Sequence, residues 1–152
     1  LMQVFPEVMG VHHVTWVCHG SAVSNLDIIS DSLRWLSCEA GEVEISKFTS
    51  HHGSEQFILR VKMGKSKKSI QSLRRLGKEN LRFLVEAIDE KLTEKNELHI
   101  RINLESLIAQ NVILSKKVGS PVVKGVIKFQ VYPNQSARSV ASEVLQSCLT
   151  NI

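Results

Sequence analysis

Nine lysines and arginines but a single acid, Glu79, fall between Ile58 and Arg82. Residues 1–57 carry a net charge of −5 and residues 83–152 one of +1, so this one segment holds the basic excess of a chain whose formal charge is +4. Concentrated positive charge attracts polyanions, either nucleic acid or an anionic membrane surface. Lys65, Lys67 and Lys68 cluster at a turn that opens a helix. Free N–H groups and the positive end of the helix dipole add to their field there, a combination suited to phosphate. If the helix runs on past Gly77, then Lys67, Arg74, Lys78 and Arg82 form one ridge about 20 Å long. The residues expected on phosphates are Lys65, Lys67, Lys68, Arg74, Arg75, Lys78 and Arg82, with Arg60 and Lys62 on one face of the preceding strand adding field strength. Such a ridge gives strong salt dependence with little sequence readout. The alternative is a solvated face, although one acid in the run argues against a self-neutralised one.

The histidines are the second set of reactive groups: His12, His13, His19, His51, His52 and His99. Zinc needs three or four converging ligands, usually at short fixed spacings. No Cys-x-x-Cys or His-x-x-x-His occurs, and Cys18 and His19 point to opposite faces of a strand. No metal and no cofactor are expected. His-Gly-Ser occurs twice, at His19–Ser21 and His52–Ser54, each just past a strand end. Neighbouring His and Ser invite a nucleophile-and-base reading, but adjacent residues rarely orient each other and no acid completes a triad. The glycines more simply mark chain reversals that need φ > 0. Strand-end loops also contact ligands, and His52, Gly53 and Ser54 are expected to meet an RNA backbone or a 2′-OH. Gly64-Lys65-Ser66 mimics the tail of a phosphate-binding loop, yet the upstream glycine is missing. Aromatic residues are only 5%, so shape and phosphate recognition fits better than base stacking across a sheet.

The chain has 152 residues, 43% hydrophobic and 22% charged, enough for one domain with its own core and no need of disulfides. No apolar run approaches the roughly 18 residues that span a membrane. Cys18, Cys38 and Cys148 are odd in number and widely spaced, which fits buried thiols in a reducing cytoplasm. Leu1–Gly10 reads as flexible or foreign to the natural chain, with Met2 or Met9 as alternative starts.

Val11–His19 reads as a central strand, with His12, Val14, Trp16 and Cys18 on one face and Val11, His13, Thr15, Val17 and His19 on the other. Ser24 and Asp27 approximate a capping box for a helix ending near Ser37. Glu42–Thr49 and Gln56–Met63 make a hairpin. A short helix at Lys67–Leu76, a longer one at Lys78–Leu92 and a strand at Leu98–Ile102 follow, then a loosely defined helix within Asn103–Gln110. Lys116–Lys124 reads as a loop, Gly125–Tyr132 as a strand, and the final helix starts after Pro133–Asn134. The order β-α-β-β-α-α-β-(α)-β-α indicates α+β, a mostly antiparallel sheet with helices packed on one face, as a single domain over 1–152.

His19-Gly20-Ser21, His52-Gly53-Ser54, the basic helix, and Ala87-Ile88-Asp89-Glu90 leading to Asn96-Glu97-Leu98-His99-Ile100-Arg101-Ile102 follow one another in an order that resembles a family of archaeal RNA-binding proteins described as exosome-associated subunits. The similarity covers roughly Val11 to Tyr132. This chain departs from the family's pattern at Ser21-Ala22, Ser54 and Asn103-Leu104-Glu105. The resemblance implies a fold like the large-subunit ribosomal protein that docks the smallest ribosomal RNA, and a role near RNA processing. The expected function is therefore non-catalytic RNA binding, with RNA-processing proteins as further partners, no membrane, and a homodimer open through the final helix. A module docking an acidic protein partner, and a small hydrolase or metalloenzyme built on the two His-Gly-Ser loops, remain the alternatives.

Overall fold

The computed structural model describes residues 10–64, 67–116 and 118–150. Five strands form one antiparallel sheet: β1 (Val11–Ser21), β2 (Glu44–Thr49), β3 (Glu55–Met63), β4 (Glu97–Asn103) and β5 (Val122–Phe129), in the spatial order β2-β3-β1-β5-β4. Among the described residues six helices pack against it: α1 (Leu26–Leu36), α2 (Lys67–Arg74), α3 (Lys78–Glu86), α4 (Ile88–Lys91), α5 (Leu104–Ile108) and α6 (Ala137–Thr150). The fold is α+β, and β1 is its central strand.

Alternation decides which side the helices cover. Val14, Trp16 and Cys18 of β1 stand beside Met63, Val61 and Leu59 of β3 and Ile127, Gly125 and Val123 of β5. Leu98, Ile100 and Ile102 of β4 continue the same rows, and all of these residues are buried. Leu33 and Leu36 of α1, Ile70 and Leu73 of α2, Leu81 and Leu84 of α3, and Val144 and Leu145 of α6 close the core from that side. Burying side chains of this size stabilises the fold by about 1.5–3 kcal/mol each.

The buried indole ties three elements together. Trp16 Nε1 donates to Ser72 Oγ of α2 at 2.8 Å, and Ser72 Oγ donates to the Leu36 carbonyl at the end of α1 at 2.6 Å. Without the Ser72 hydroxyl a buried N–H would lack a partner, at about 1–3 kcal/mol.

Several expectations need correction. Strand β1 runs through Gly20 to Ser21, and a register shift between Val11 and His13 puts Val11 on the covered face. A β-bulge breaks strict alternation in this way. The N-cap of α1 is Asn25, whose Oδ1 accepts from Ile28 N, while Ser24 Oγ accepts from Ser21 N. The helix expected over Lys78–Leu92 is interrupted at Ala87 (φ −93°, ψ 2°), so α4 is an additional element. Helix α2 stops at Arg74, and Gly77 at φ +88° separates it from α3. Strand β5 begins at Val122 and ends at Phe129, about three residues earlier than Gly125–Tyr132. The helix within Asn103–Gln110 is α5, capped by Asn103 Oδ1 on Ser106 N.

Candidate nucleic-acid interface

Because the helices pack on the Trp16 side, the opposite face of the sheet is bare among the described residues. The register assembles a row across all five strands: Glu44, Arg60, Val17, Lys124 and Arg101. At a strand separation of about 4.8 Å this row is about 19 Å long. The next row holds Lys62, Thr15, Val126 and His99, and Lys128 stands opposite both His13 and Glu97. Arg60, Lys62, Lys124 and Arg101 are exposed, whereas Lys128 is half-buried and donates from Nζ to the Lys95 carbonyl. Five cations thus share a face with two acids, and one of these, Glu97, lies 3.4 Å from His99 Nε2. Phe48 of the edge strand, 42% exposed, is on the same face opposite Gln56.

His13 sits among these charges. Its Nδ1 is 2.9 Å from Nδ1 of His12, so one of the two rings must be unprotonated to accept. Burial, then Lys62 and His12, hold its pKa below 6.5; Glu97 pulls the other way, and Lys128 adds the smallest lowering contribution. Depressed basicity means that the unfolded chain binds the proton better, so this group's contribution to stability falls as pH drops below 6.5. A polyanion lying over Lys62 and Lys128 reverses the effect: it raises the pKa of His13, and binding takes up protons. RNA affinity at constant ionic strength is expected to rise as pH falls from 7.5 to 5.5, by at most about tenfold per unit for one proton. The His13→Gln variant should show a shallower dependence in the same titration; an unchanged slope would remove His13 from the interface.

The cations expected on one helical ridge are divided. Arg60 and Lys62 alternate away from Leu59, Val61 and Met63 and so face the opposite side of the sheet from α2. Lys67, Lys68, Arg75, Lys78 and Arg82 are exposed on the helical layer, but the break at Gly77 rules out a single continuous helix. Arg74 is turned inward, with Nε and Nη2 buried. Its charge opposes the effect of burial on Cys148, whose thiol is pushed up to about 11. Arg75 lies 4.7 Å from the Trp35 ring centroid and donates from Nε to Cys38 Sγ at 3.3 Å. Lys65 lies outside the described residues.

The two His-Gly-Ser stretches fall at one end of the sheet, where Ser21 pairs with Gln56 just after the β2–β3 turn. Only the second is a chain reversal: His19-Gly20-Ser21 is the end of β1, and Gly20 is not among the positive-φ glycines. In the β2–β3 turn Gly53 has φ +85°, His51, His52, Gly53 and Ser54 are exposed, and Ser54 Oγ meets Ser50 Oγ at 2.8 Å. Ser21 Oγ lies 3.4 Å from Ser24 Oγ. Each serine therefore has a serine partner, and among the described residues neither hydroxyl donates to a histidine that could act as its base. Also among these, no three His, Cys, Asp or Glu side chains come together to hold a metal ion, and no helix is long and apolar enough to cross a membrane.

Arg101, Lys124, Lys128 and Phe48 were not among the residues singled out from sequence. Their only sequence signal is strand alternation, and Lys124 falls in the stretch expected to be a loop.

No curated protein matches the chain. Solved structures share the fold. A DUF54-family protein from Archaeglobus fulgidus is 20% identical with a TM-score of 0.71, the match covering 91% of this chain and 99% of that one. A DUF54 protein from Methanothermobacter thermautotrophicus is 15% identical with a TM-score of 0.69, covering 92% and 98%. A UPF0201 protein from Methanococcus jannaschii is 8% identical with a TM-score of 0.58, covering 88% and 92%. The family model described as RNA binding matches residues 21–131. That is most of the chain, and the protein belongs to this RNA-binding family.

Proposed function

We propose that the protein is a non-catalytic RNA-binding module that lays its ligand across the bare face of the sheet. The observation that carries this reading is the row of cations contributed by β3, β5 and β4, on a surface that no helix of the described residues covers. Arg60, Lys62, Lys124, Lys128 and Arg101 take phosphates, while Phe48 and the histidines offer flat surfaces for bases. The half-buried Val17 and Val126 floor suits a ribose or base edge better than a solvated protein surface. The His52-Gly53-Ser54 turn, at the rim of the same sheet, contacts the backbone or a 2′-OH. Lys67, Lys68, Arg75, Lys78 and Arg82 form a second positive patch that attracts RNA without positioning it. The three free cysteines fit a reducing cytoplasm, and the family resemblance supports a role near RNA processing, beside the exosome and its protein partners, on a fold like that of the large-subunit ribosomal protein; a homodimer through α6 fits the same setting.

The test is titration of a mixed cellular RNA pool at about 50 and about 200 mM salt. Five phosphate contacts on a single strand predict a loss of roughly a hundredfold over that range. Absence of binding at the lower salt would overturn RNA as the ligand and turn the search to acidic protein surfaces.

A further inference from the structure

A cavity of about 270 Å³ opens at the β4 edge, between α3 and the segment that follows α5. Leu84, Ile100 and Leu114 give it an apolar floor, and Phe83, 41% exposed, forms one wall. The charged residues that line it are Lys91, Lys116 and Arg101, with His99 beside them and, among the described residues, no acid. Lys91 Nζ and Lys116 Nζ lie 6.0 and 5.6 Å from the centroid of the Phe83 ring. These distances are near the outer limit of cation–π attraction, about 6 Å, so an incoming planar group displaces them readily.

An exposed aromatic ring, an apolar floor and a cationic rim suit a ligand that is flat at one end and doubly anionic at the other. We propose that this pocket binds a nucleoside monophosphate unit, its base stacked on Phe83 and its phosphate held by Lys116 and Lys91. The volume is just under the roughly 300 Å³ lower bound for small-molecule pockets, which fits one nucleotide and excludes a dinucleotide. The unit is either a free nucleotide or one nucleotide of an RNA strand. Arg101 connects the two settings, since it belongs both to this lining and to the basic row of the sheet face. The pocket does not depend on the sheet-face reading, because Phe83, Lys91 and Lys116 are absent from that face.

Calorimetric titration with adenosine 5′-monophosphate, with ribose 5-phosphate and with a short single-stranded RNA tests this. Full-length Phe83→Ala, Lys116→Gln and Arg60→Gln/Lys62→Gln variants are compared with the unaltered protein. Saturable binding of the mononucleotide, at least about tenfold tighter than ribose 5-phosphate and lost about tenfold in Phe83→Ala, supports a site for free nucleotide. A mononucleotide too weak to detect, with RNA affinity that falls in Phe83→Ala and in Lys116→Gln, assigns the pocket to an RNA-borne nucleotide. Affinities for both probes that are indifferent to Phe83 and to Lys116 overturn the pocket, whatever Arg60→Gln/Lys62→Gln does. Loss in that double variant alone leaves the sheet-face reading standing without the pocket. The exposed ring makes Phe83→Ala compatible with folding, and Lys116→Gln supplies an independent readout.

Discussion

Gly125→Ala is expected to lower stability by about 3–5 kcal/mol, near the upper end of single-substitution effects. A Cβ at this position would lie 2.2 and 2.5 Å from the Cζ3 and Cε3 atoms of Trp16. The ring has nowhere to go. It is wholly buried in the central strand, and its Nε1 is committed to Ser72. Forcing extra volume into a packed core costs about 1–3 kcal/mol, occasionally more, and pulling the indole off Ser72 adds about 1–3 kcal/mol for the unpaired N–H. At about 2–4 °C per kcal/mol for a chain of this size, the melting temperature should fall by roughly 10 °C. Gly53→Ala is the control. It strains a positive φ but meets nothing within 4 Å, so about 1 kcal/mol is expected. Thermal unfolding followed by circular dichroism gives the answer, and a Gly125→Ala melt within 2 °C or so of the parent would show that Trp16 is not packed on Gly125.

The second large effect is on RNA affinity. Combining Arg60→Gln, Lys62→Gln and Lys124→Gln removes three neighbouring cations from two adjoining rows of the bare face. Each lost phosphate contact reduces the slope of log K against log salt by about 0.7 for a single strand, so the slope should fall by about 2. Since the electrostatic contribution vanishes near 1 M salt, that change corresponds to roughly a hundredfold weaker binding at about 0.1 M. All three side chains are exposed, so stability should change little. A matched variant, Lys68→Gln/Lys78→Gln/Arg82→Gln, takes three charges from the helical layer and should cost far less than tenfold. The reverse ranking would move the interface to the helices.

These two sites also mark where sequence reading succeeds and where it stops. The final helix, the β2–β3 hairpin and the centrality of β1 were legible because period 3.6 or period 2 burial leaves a local trace. The break at Ala87 was not, because a single turn of bridge-like dihedrals leaves the apolar spacing of Leu81, Leu84 and Ile88 almost undisturbed. The β1 bulge was equally silent, since an extra residue reverses the alternation of Val11 and His12 without changing their types. The basic segment was legible as a charge excess but not as a surface. Sequence adjacency joined Arg60 and Lys62 to the lysines of α2, whereas strand pairing joins them to Lys124, more than sixty residues away. Arg74 shows the same limit: a cation in a basic run reads as exposed until its environment places Nε and Nη2 out of reach of solvent.

The position of the two indoles gives the molecule a built-in spectroscopic locator. Trp16 is sealed on the covered side of the sheet, and Trp35 of α1 is half-buried beneath the guanidinium of Arg75, so neither reports from the bare face. A ligand that draws Arg75 away from Trp35 alters the emission of one fluorophore and leaves the other dark to the event. A strand lying over Arg60 and Lys124 leaves both emissions unchanged. Unlabelled protein in a cuvette therefore distinguishes a ligand at Arg75 from one elsewhere, and a silent titration that still shifts the RNA in a gel places the strand on the bare face or at the β4 edge.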